Sequence, residues 1–257
     1  RYLESAAVKE SDLLEQIELE ANDYLQGVAD QVRQAGLSVQ TVVQHGPASE
    51  AIVDYAEQMD IWLIIMATHG YGGIKRWTHG SVAERVLQTA GVPVLLVRAQ
   101  EPDVAPYWKE PAPCRRILVP LDGSSMAEQV LPVATRVTQA LDAELILFQV
   151  PIAHVYGWMT GEWFLPVQGV LGTAEEDAQA YLDAVAARLE GDNVSVATAT
   201  MIGSVAEAII EHAAANQIDL IAMCTHGRAG LLRWTLGSVA DRVLRAGRTP
   251  ILLVRAQ

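Results

Sequence analysis

Two loops of the sequence carry glycines at the same spacing, and each runs into a segment with helical character. They span residues 68–85 and 225–242. Each ends on the pattern S-x-x-[DE], which predicts a capping box at a helix start. Backbone N–H groups and the positive end of the helix dipole converge at such a start, which favours an anion such as a phosphate. Nine residues separate the paired glycines, which are Gly70 and Gly80 in the first loop and Gly227 and Gly237 in the second.

Common phosphate-binding motifs do not match these loops. Neither contains G-x-x-x-x-G-K-[ST], and the glycines after Gly70 do not form a dinucleotide fingerprint, so neither a P-loop NTPase nor a Rossmann dehydrogenase is supported. A glycine turn before a capped helix also occurs without any ligand. His69 and His226 are as consistent with orienting hydrogen-bond partners as with catalysts, because no serine nucleophile with a carboxylate accompanies them.

The two loops belong to an internal duplication. A shift of 157 residues, the difference between 80 and 237, gives 21 identical residues among 34 when 67–100 is aligned with 224–257. The second copy opens on the apolar segment 117–121, whose counterpart would fall near position −40. The first copy thus lacks about forty residues, namely its first strand, first helix and second strand. Either the chain begins inside the first domain or these residues were lost in evolution.

Periodicity predicts alternating helices and strands in both copies, with an amphipathic first helix whose apolar stripe runs from Ile17 to Val32. Pro132 predicts a kink or a late helix start. The alternation indicates a doubly wound parallel α/β sheet, with five strands in the complete copy. We predict a first domain at 1–100, a proline-rich linker at 101–115 and a second domain at 116–257. Helices are predicted at 8–34, 47–59, 81–89, 125–140, 173–190, 204–216 and from 238, and strands at 37–43, 61–66, 93–97, 117–121, 144–150, 194–200, 220–223 and 250–254.

Composition and charge limit the kinds of molecule that the protein is expected to bind. A formal net charge of −13 would repel a nucleic-acid backbone. No stretch reaches the roughly 18 to 20 apolar residues of a membrane span, and no signal peptide opens the chain. The two cysteines, Cys114 and Cys224, lack metal-ligand spacing and indicate a reducing compartment. We therefore expect a cytoplasmic protein that binds neither nucleic acid nor membrane. The aromatic-rich connection at 151–172 is expected either to pack against the other half or to contact a ligand.

Several motifs together resemble those of the universal stress protein family. They are I-L-V-P-L-D-G-S at 117–124, M-C-T-H-G at 223–227 and L-G-S-V-A-D-R-V-L at 236–244, with M-A-T-H-G and H-G-S-V-A-E-R-V-L in the first copy. The resemblance implies two tandem adenine nucleotide alpha hydrolase-like domains, the first without its beginning. It also implies an adenine nucleotide (ATP, ADP or AMP) as ligand, with any Mg²⁺ carried by the nucleotide. Nucleotide-binding members have a further glycine at the position that Ala67 and Cys224 occupy here.

The resemblance also implies the roles of individual residues. Asp122 would lie under the adenine or ribose, after the first strand, and Pro120 and Val150 would flank the adenine. Met223, His226 and Gly227 would line the loop, and the phosphates would contact Gly237, Ser238 and Val239. The matching residues of the first copy are Met66, His69, Gly70, Gly80, Ser81 and Val82. Because the first-copy counterparts of Pro120, Asp122 and Val150 fall before residue 1, we expect a nucleotide to favour the second loop.

The last strand of each copy follows a proline and is expected to be a sheet edge, which invites pairing. The family resemblance implies that two such edges pair antiparallel, here as a pseudo-twofold dimer within one chain, and a homo-oligomer is a further expectation. Three functions fit the sequence. The leading one is a non-catalytic nucleotide-binding sensor or adaptor of the stress response. The others are a nucleotide-free interaction scaffold and a weak ATPase or autophosphorylating protein, although no general base with a recognisable nucleophile, and hence no catalytic residue, is identified.

Overall fold

The computed structural model describes residues 2–67, 80–97, 113–151, 167–225 and 236–256. Over these ranges helices and strands alternate as the periodicity predicts, with end points that differ by a few residues. The first half contains α1 (Tyr2–Gln34), α2 (Ala48–Gln58), β1 (Ile64–Ala67), α3 (Ser81–Thr89) and β2 (Val94–Val97). The second half contains β3 (Arg116–Pro120), α4 (Ser125–Glu128), α5 (Leu131–Leu141), β4 (Glu144–Gln149), α6 (Val167–Leu189), β5 (Ser195–Thr200), α7 (Val205–Ala215), β6 (Leu220–Cys224), α8 (Ser238–Ala246) and β7 (Ile251–Val254).

The described residues fall into two compact units, one of which ends at Ala51 while the other begins at Ile52. In the first unit, helix α1 is tied to the following segment by a 3.0 Å hydrogen bond from the Gln26 amide to the Thr41 hydroxyl. Much of the predicted apolar stripe of α1 is exposed, including Ile17 and Tyr24. The predicted division of the chain at 101–115 stays a prediction.

The predicted strand Leu37–Val43 is wrong, because this segment forms no strand in the structure. A shift of 157 residues aligns it with β5 and the residue before it, and β5 is a strand because it pairs along its length with β4. The counterpart of β4 would have negative residue numbers. β-branched residues give a segment its tendency to extend, but a strand also requires a hydrogen-bonded neighbour.

Seven strands form one sheet in the order β1-β2-β7-β6-β3-β4-β5. The five strands of the second half are parallel to one another, which confirms the predicted doubly wound α/β fold. The last strands of the two halves, β2 and β7, pair antiparallel, with Val94 opposite Leu253 and Leu96 opposite Ile251. This pairing is the only reversal of strand direction in the sheet that the structure describes.

The strands of the second half are apolar on both faces because helices cover both. Alternate residues face opposite sides, so that Leu118 and Phe148 enter one apolar cluster while Ile117 and Leu147 enter the other. The first cluster, which we call the front cluster, also contains buried residues of α2, α3, α7 and α8. The second, the back cluster, contains buried residues of α5 and α6.

The strands of the first half are less completely buried by neighbouring elements than those of the second half. Strand β1 lies at the edge of the sheet and pairs only with β2. Ile65 of β1 is 62% exposed, whereas its counterpart in β6, Ala222, is fully buried. In the second half the position beside β6 is filled by β3, whose first-half counterpart would precede residue 1. The two halves are thus similar in sequence and unequal in burial.

Pro132 interrupts the first helix of the second half, as predicted. The segment divides into α4, a single turn, and α5, which begins at Leu131 with the proline in its first turn. Proline fits there because the first turn needs no hydrogen bond from its N–H groups. The helix break places α4 as a separate short element directly after β3.

His212 of α7 is expected to make the stability of the fold depend on pH. Its ring lies 4.6 Å from that of Phe148, and burial, assisted by the charge of Arg116, lowers the pKa of His212. The unfolded chain therefore binds a proton at His212 more readily than the folded chain does. The stability contribution of neutral His212 is complete above about pH 6.5 and is lost as the pH falls through its lowered folded-state pKa.

Urea unfolding between pH 5 and pH 7 would measure this effect. The decrease in the free energy of unfolding between pH 7 and pH 5 should be smaller in His212→Gln, because glutamine cannot take up the proton. His45→Gln is the control, because His45 is exposed and its ion pair with Glu18, at 3.4 Å, is at the surface. An unchanged pH dependence in His212→Gln would contradict the prediction.

Candidate functional site

The candidate site of the second half lies where β3, β4 and β6 end. Strand β3 lies between β4 and β6 and is parallel to both, so their carboxyl ends meet at one edge of the sheet. Asp122 and Val150 follow two of these ends, and the second glycine loop follows the third. Open α/β sheets bind ligands at this edge. The strands that end at this edge thus connect predicted site residues that are up to 119 positions apart, from Pro120 to Val239.

An apolar wall lines this edge. Val150 and Met223 are both buried in the front cluster, and Val239 of α8 packs against the same cluster. Pro120, at the end of β3, pairs with Phe148 of β4. Leu236 also packs there and was missed by sequence reasoning, although it directly precedes Gly237. An apolar wall beside a polar turn suits a heterocyclic base whose edge carries hydrogen-bonding groups.

The Asp122 side chain organises the polar turn. Its Oδ1 accepts hydrogen bonds from the N–H of Ser124 at 2.9 Å and from the Ser124 hydroxyl at 2.6 Å. The Ser124 Oγ in turn accepts the N–H of Ala127 at 3.1 Å and caps α4. The turn needs Gly123, which has a positive φ of 80°. The carboxylate is therefore fixed at the sheet edge by its own turn.

Helix α8 begins at Ser238, and Gly237 is its N-cap residue. The predicted capping box is wrong, and it is wrong at α3 as well, because glycine is the cap residue at both helices and makes no side-chain hydrogen bond. Ser81 and Ser238 are the first helical residues instead, one position too late to cap. In a helix that has no capping side chain, the first-turn N–H groups and the positive end of the helix dipole both point toward the preceding loop. Both favour the binding of an anion there.

The start of α8 is tied to the end of β6. The N–H of Gly237 donates to the carbonyl of Thr225 at 2.8 Å, and Thr225 is buried. The second loop therefore leaves the sheet and returns at almost the same point. The loop residues His226 and Gly227, with His69 and Gly70 of the first loop, lie outside the described residues.

An ion pair holds α8 against α7. Glu207 of α7 accepts hydrogen bonds from Ser204 and from Arg242 of α8. These bonds lower the pKa of Glu207, with that from Ser204 contributing most. The first half has Pro47 in place of Ser204, although Glu50 and Arg85 match the other two residues.

Cys224 stands at the position where the family resemblance implies a glycine, and its side chain points away from the site. Met223 enters the front cluster, whereas the next residue, Cys224, enters the back cluster. The thiol donates to the Ala127 carbonyl at 3.5 Å, and burial raises the pKa of Cys224 to about 12. The side chain thus leaves the front face free for a ligand and stays a neutral thiol.

The first half assembles only part of an equivalent site. Met66 and Val82 pack against the front cluster, and Gly80 is the N-cap of α3. Ser81 is exposed, as Ser238 is. Ala67 is exposed at the edge strand β1, in contrast with buried Cys224.

The described residues contain neither a metal-binding cluster nor a membrane-spanning helix. No group of three or more histidine, cysteine, aspartate or glutamate side chains is arranged there to hold a metal ion. None of the helices described is long and apolar enough to cross a membrane.

Comparison with known proteins identifies the family. The sequence profile of the universal stress protein family matches residues 1–98 and 113–255. The chain is 32% identical over 143 residues to universal stress protein MJ0531 of Methanocaldococcus jannaschii, covering 55% of this chain and 82% of that one. It is 25% identical over 225 residues to universal stress protein Rv2005c of Mycobacterium tuberculosis, covering 85% and 70%.

Solved structures agree on the fold. A universal stress protein from Archaeoglobus fulgidus superposes with a TM-score of 0.68 at 21% identity, over 94% of this chain and 80% of that one. With the family profile matching both halves of the chain in turn, the chain belongs to the universal stress protein family, in its tandem form.

Proposed function

We propose that the second half binds an adenine nucleotide and that the protein acts as a non-catalytic sensor or adaptor of the stress response. The observation that carries the proposal is the meeting of three features at one sheet edge. They are the Asp122 turn, the buried wall of Val150 and Met223, and the α8 N-terminus without a capping side chain. A carboxylate, an apolar wall and a helix N-terminus suit the ribose, base and phosphates of a nucleotide in turn.

The predicted residues of the second half are grouped by the part of the nucleotide that they are proposed to contact. Pro120, Val150 and Met223 contact the base, Asp122 the ribose, and the phosphates lie against α8. Any Mg²⁺ is proposed to arrive with the nucleotide. The proposed residues of the second half are Pro120, Asp122, Val150, Met223, His226, Gly227, Gly237, Ser238 and Val239, and the weaker set of the first half is Met66, His69, Gly70, Gly80, Ser81 and Val82.

The orientation of Cys224 supports this function over that of a nucleotide-free scaffold. The alternative of a nucleotide-free scaffold is based on the absence of the first glycine of the nucleotide-binding pattern. A side chain at that position would matter if it entered the site, but the thiol lies in the back cluster. The replacement therefore leaves the ligand side of the strand unchanged.

The antiparallel pairing of β2 with β7 supports the further proposal that the two halves form a pseudo-twofold dimer within one chain. We also propose the domain division at 101–115 and a cytoplasmic location. Cross-linking or multi-angle light scattering would report whether a homo-oligomer forms in addition.

The small molecules released by denaturing freshly purified protein test the function directly. Mass spectrometry is expected to detect ATP, ADP or AMP at up to one per chain, and millimolar ATP with Mg²⁺ should raise the melting temperature of the emptied protein. A ligand at 100 times its Kd stabilises a protein by about 2.7 kcal/mol, enough for a readable shift. Empty protein that also shows no shift would reject nucleotide binding in favour of the scaffold. Phosphate release that Ser238→Ala abolishes would instead identify an ATPase.

A further inference from the structure

Helix α4 directly follows the Asp122 turn and is too short to be stable alone. It has four residues, Ser125–Glu128, and the chain then turns before α5 begins. Forming a single helical turn is unfavourable, because several backbone angles are fixed for one hydrogen bond. The position of α4 must therefore depend on contacts with its neighbours, and so must that of the turn which it follows.

Those contacts come from two sides. On the β6 side, the Cys224 thiol donates to the carbonyl of Ala127. On the α6 side, the Glu128 carboxylate accepts a 2.9 Å hydrogen bond from the Tyr181 hydroxyl and a 2.6 Å hydrogen bond from the Arg188 guanidinium. The last residue of α4 is thus held by two residues of a helix more than fifty positions away.

The hydrogen bonds that the Glu128 carboxylate accepts are strong ones. The Glu128 side chain is only 22% exposed, and both of its oxygens are engaged. Burial, and then the hydrogen bond to Glu128, raise the pKa of Tyr181, so that its hydroxyl stays protonated and donates. Bonds to a charged acceptor are roughly twice as strong as neutral ones. Glu128 therefore fixes α4 to α6.

The first half has no such arrangement among its described residues. The counterpart of Tyr181 is Tyr24, which is 66% exposed, and that of Arg188 is Gln31. The counterpart of Glu128 would precede residue 1. The contact between α6 and the turn after the strand is thus described for the second half, where we place the nucleotide.

We propose that Glu128, held by Tyr181 and Arg188, is a positioning residue that keeps the Asp122 turn in the geometry needed for nucleotide binding. It acts through α4 and Ser124 and does not touch the nucleotide. This proposal rests on the proposed function, since it concerns the same site.

A double-mutant cycle tests the proposal. The dissociation constant for ATP is measured by isothermal titration calorimetry for the full chain and for Glu128→Ala, Asp122→Ala and the double variant, at a temperature where all are folded. Glu128→Ala is expected to weaken binding about tenfold. In the Asp122→Ala background the same change should have less than a twofold effect, because the group that it positions is gone.

Two further variants separate positioning from general loss of stability. Tyr181→Phe removes one hydroxyl and should weaken binding about threefold, while Glu128→Gln, which keeps an acceptor oxygen, should recover part of the loss. Glu144→Gln is the control, because it breaks the 3.1 Å ion pair with Arg116 at the opposite end of the strands. It should leave the dissociation constant unchanged even if it lowers the melting temperature as much as Glu128→Ala does.

Hydrogen exchange distinguishes failure of this proposal from failure of the proposed function. In protein without nucleotide, Glu128→Ala should speed amide exchange in residues 121–130 at least tenfold, and Glu144→Gln should not. Equal weakening of ATP binding by Glu128→Ala in both backgrounds would overturn the positioning role. If the unsubstituted protein binds no nucleotide, the proposed function fails, and unchanged exchange in 121–130 would then overturn the positioning of the turn as well.

Discussion

Replacing Gly237 by aspartate is expected to raise the dissociation constant for ATP about 100-fold. Gly237 caps α8 with a φ of −59° and a ψ of 148°, a conformation open to any residue. Aspartate is a preferred N-cap, and its carboxylate would accept the first-turn N–H groups that are proposed to bind the phosphates. The lost hydrogen bonds and the added negative charge together cost about 3 kcal/mol, which corresponds to that factor.

The first half provides a matched control for this substitution. Gly80 caps α3 in nearly the same conformation and, like Gly237, has no side-chain cap. Gly80→Asp should change the dissociation constant by less than twofold, because we place the nucleotide at the second loop. Both variants should keep or slightly raise the melting temperature, since aspartate caps a helix at least as well as glycine. Equal losses in the two variants would contradict the preference for the second loop.

Replacing Asp122 by alanine is expected to weaken ATP binding about 30-fold. The substitution removes the acceptor that holds the Ser124 N–H and hydroxyl, and with it the proposed contact to the ribose. A hydrogen bond to a charged group contributes about 1.5 to 3 kcal/mol, which supports a loss of this order. Calorimetric titration with ATP would measure it.

The Asp122→Asn variant distinguishes the contribution of the turn geometry to ATP binding from that of the negative charge. The asparagine side chain keeps an oxygen that can accept the two Ser124 hydrogen bonds, so this variant should lose no more than about fivefold if turn geometry dominates. A loss as large as that of alanine would assign the effect to the negative charge. Unchanged binding in Asp122→Ala would remove Asp122 from the site.

Sequence repeats predicted the parts of the fold that depend on local pattern. The 157-residue register identified both glycine loops, the five-stranded second half and the short parallel strands that end beside the loops. Pro132 predicted the break between α4 and α5, because proline acts on its own helix. These features are fixed by residues close in the chain.

Two features that depend on distant contacts, and one local helix boundary, were not predicted correctly. The segment at 37–43 has the composition of a strand and yet forms none, since pairing requires a neighbour that composition does not reveal. The capping box was misassigned because a one-residue shift in the helix start turns a cap into a first-turn residue. The bond between Glu128 and Tyr181 joins residues 53 positions apart, and no motif signals it. The repeat register did align Tyr181 with Tyr24, but it carried no information about their different surroundings.

The reversal of strand direction between β2 and β7 determines where the two strands that precede the glycine loops end. Strand β1 runs opposite to β6 because the direction changes between them. The carboxyl ends of β1 and β6 therefore lie at opposite ends of the sheet, with a lateral distance of three strand spacings, or about 14 Å, between the two strands. Two bound ligands would be separated by the full height of the sheet and could not touch. An influence of one end on the other therefore has two routes, the residue pairs that join Val94–Leu96 to Ile251–Leu253 and the front cluster that both halves share.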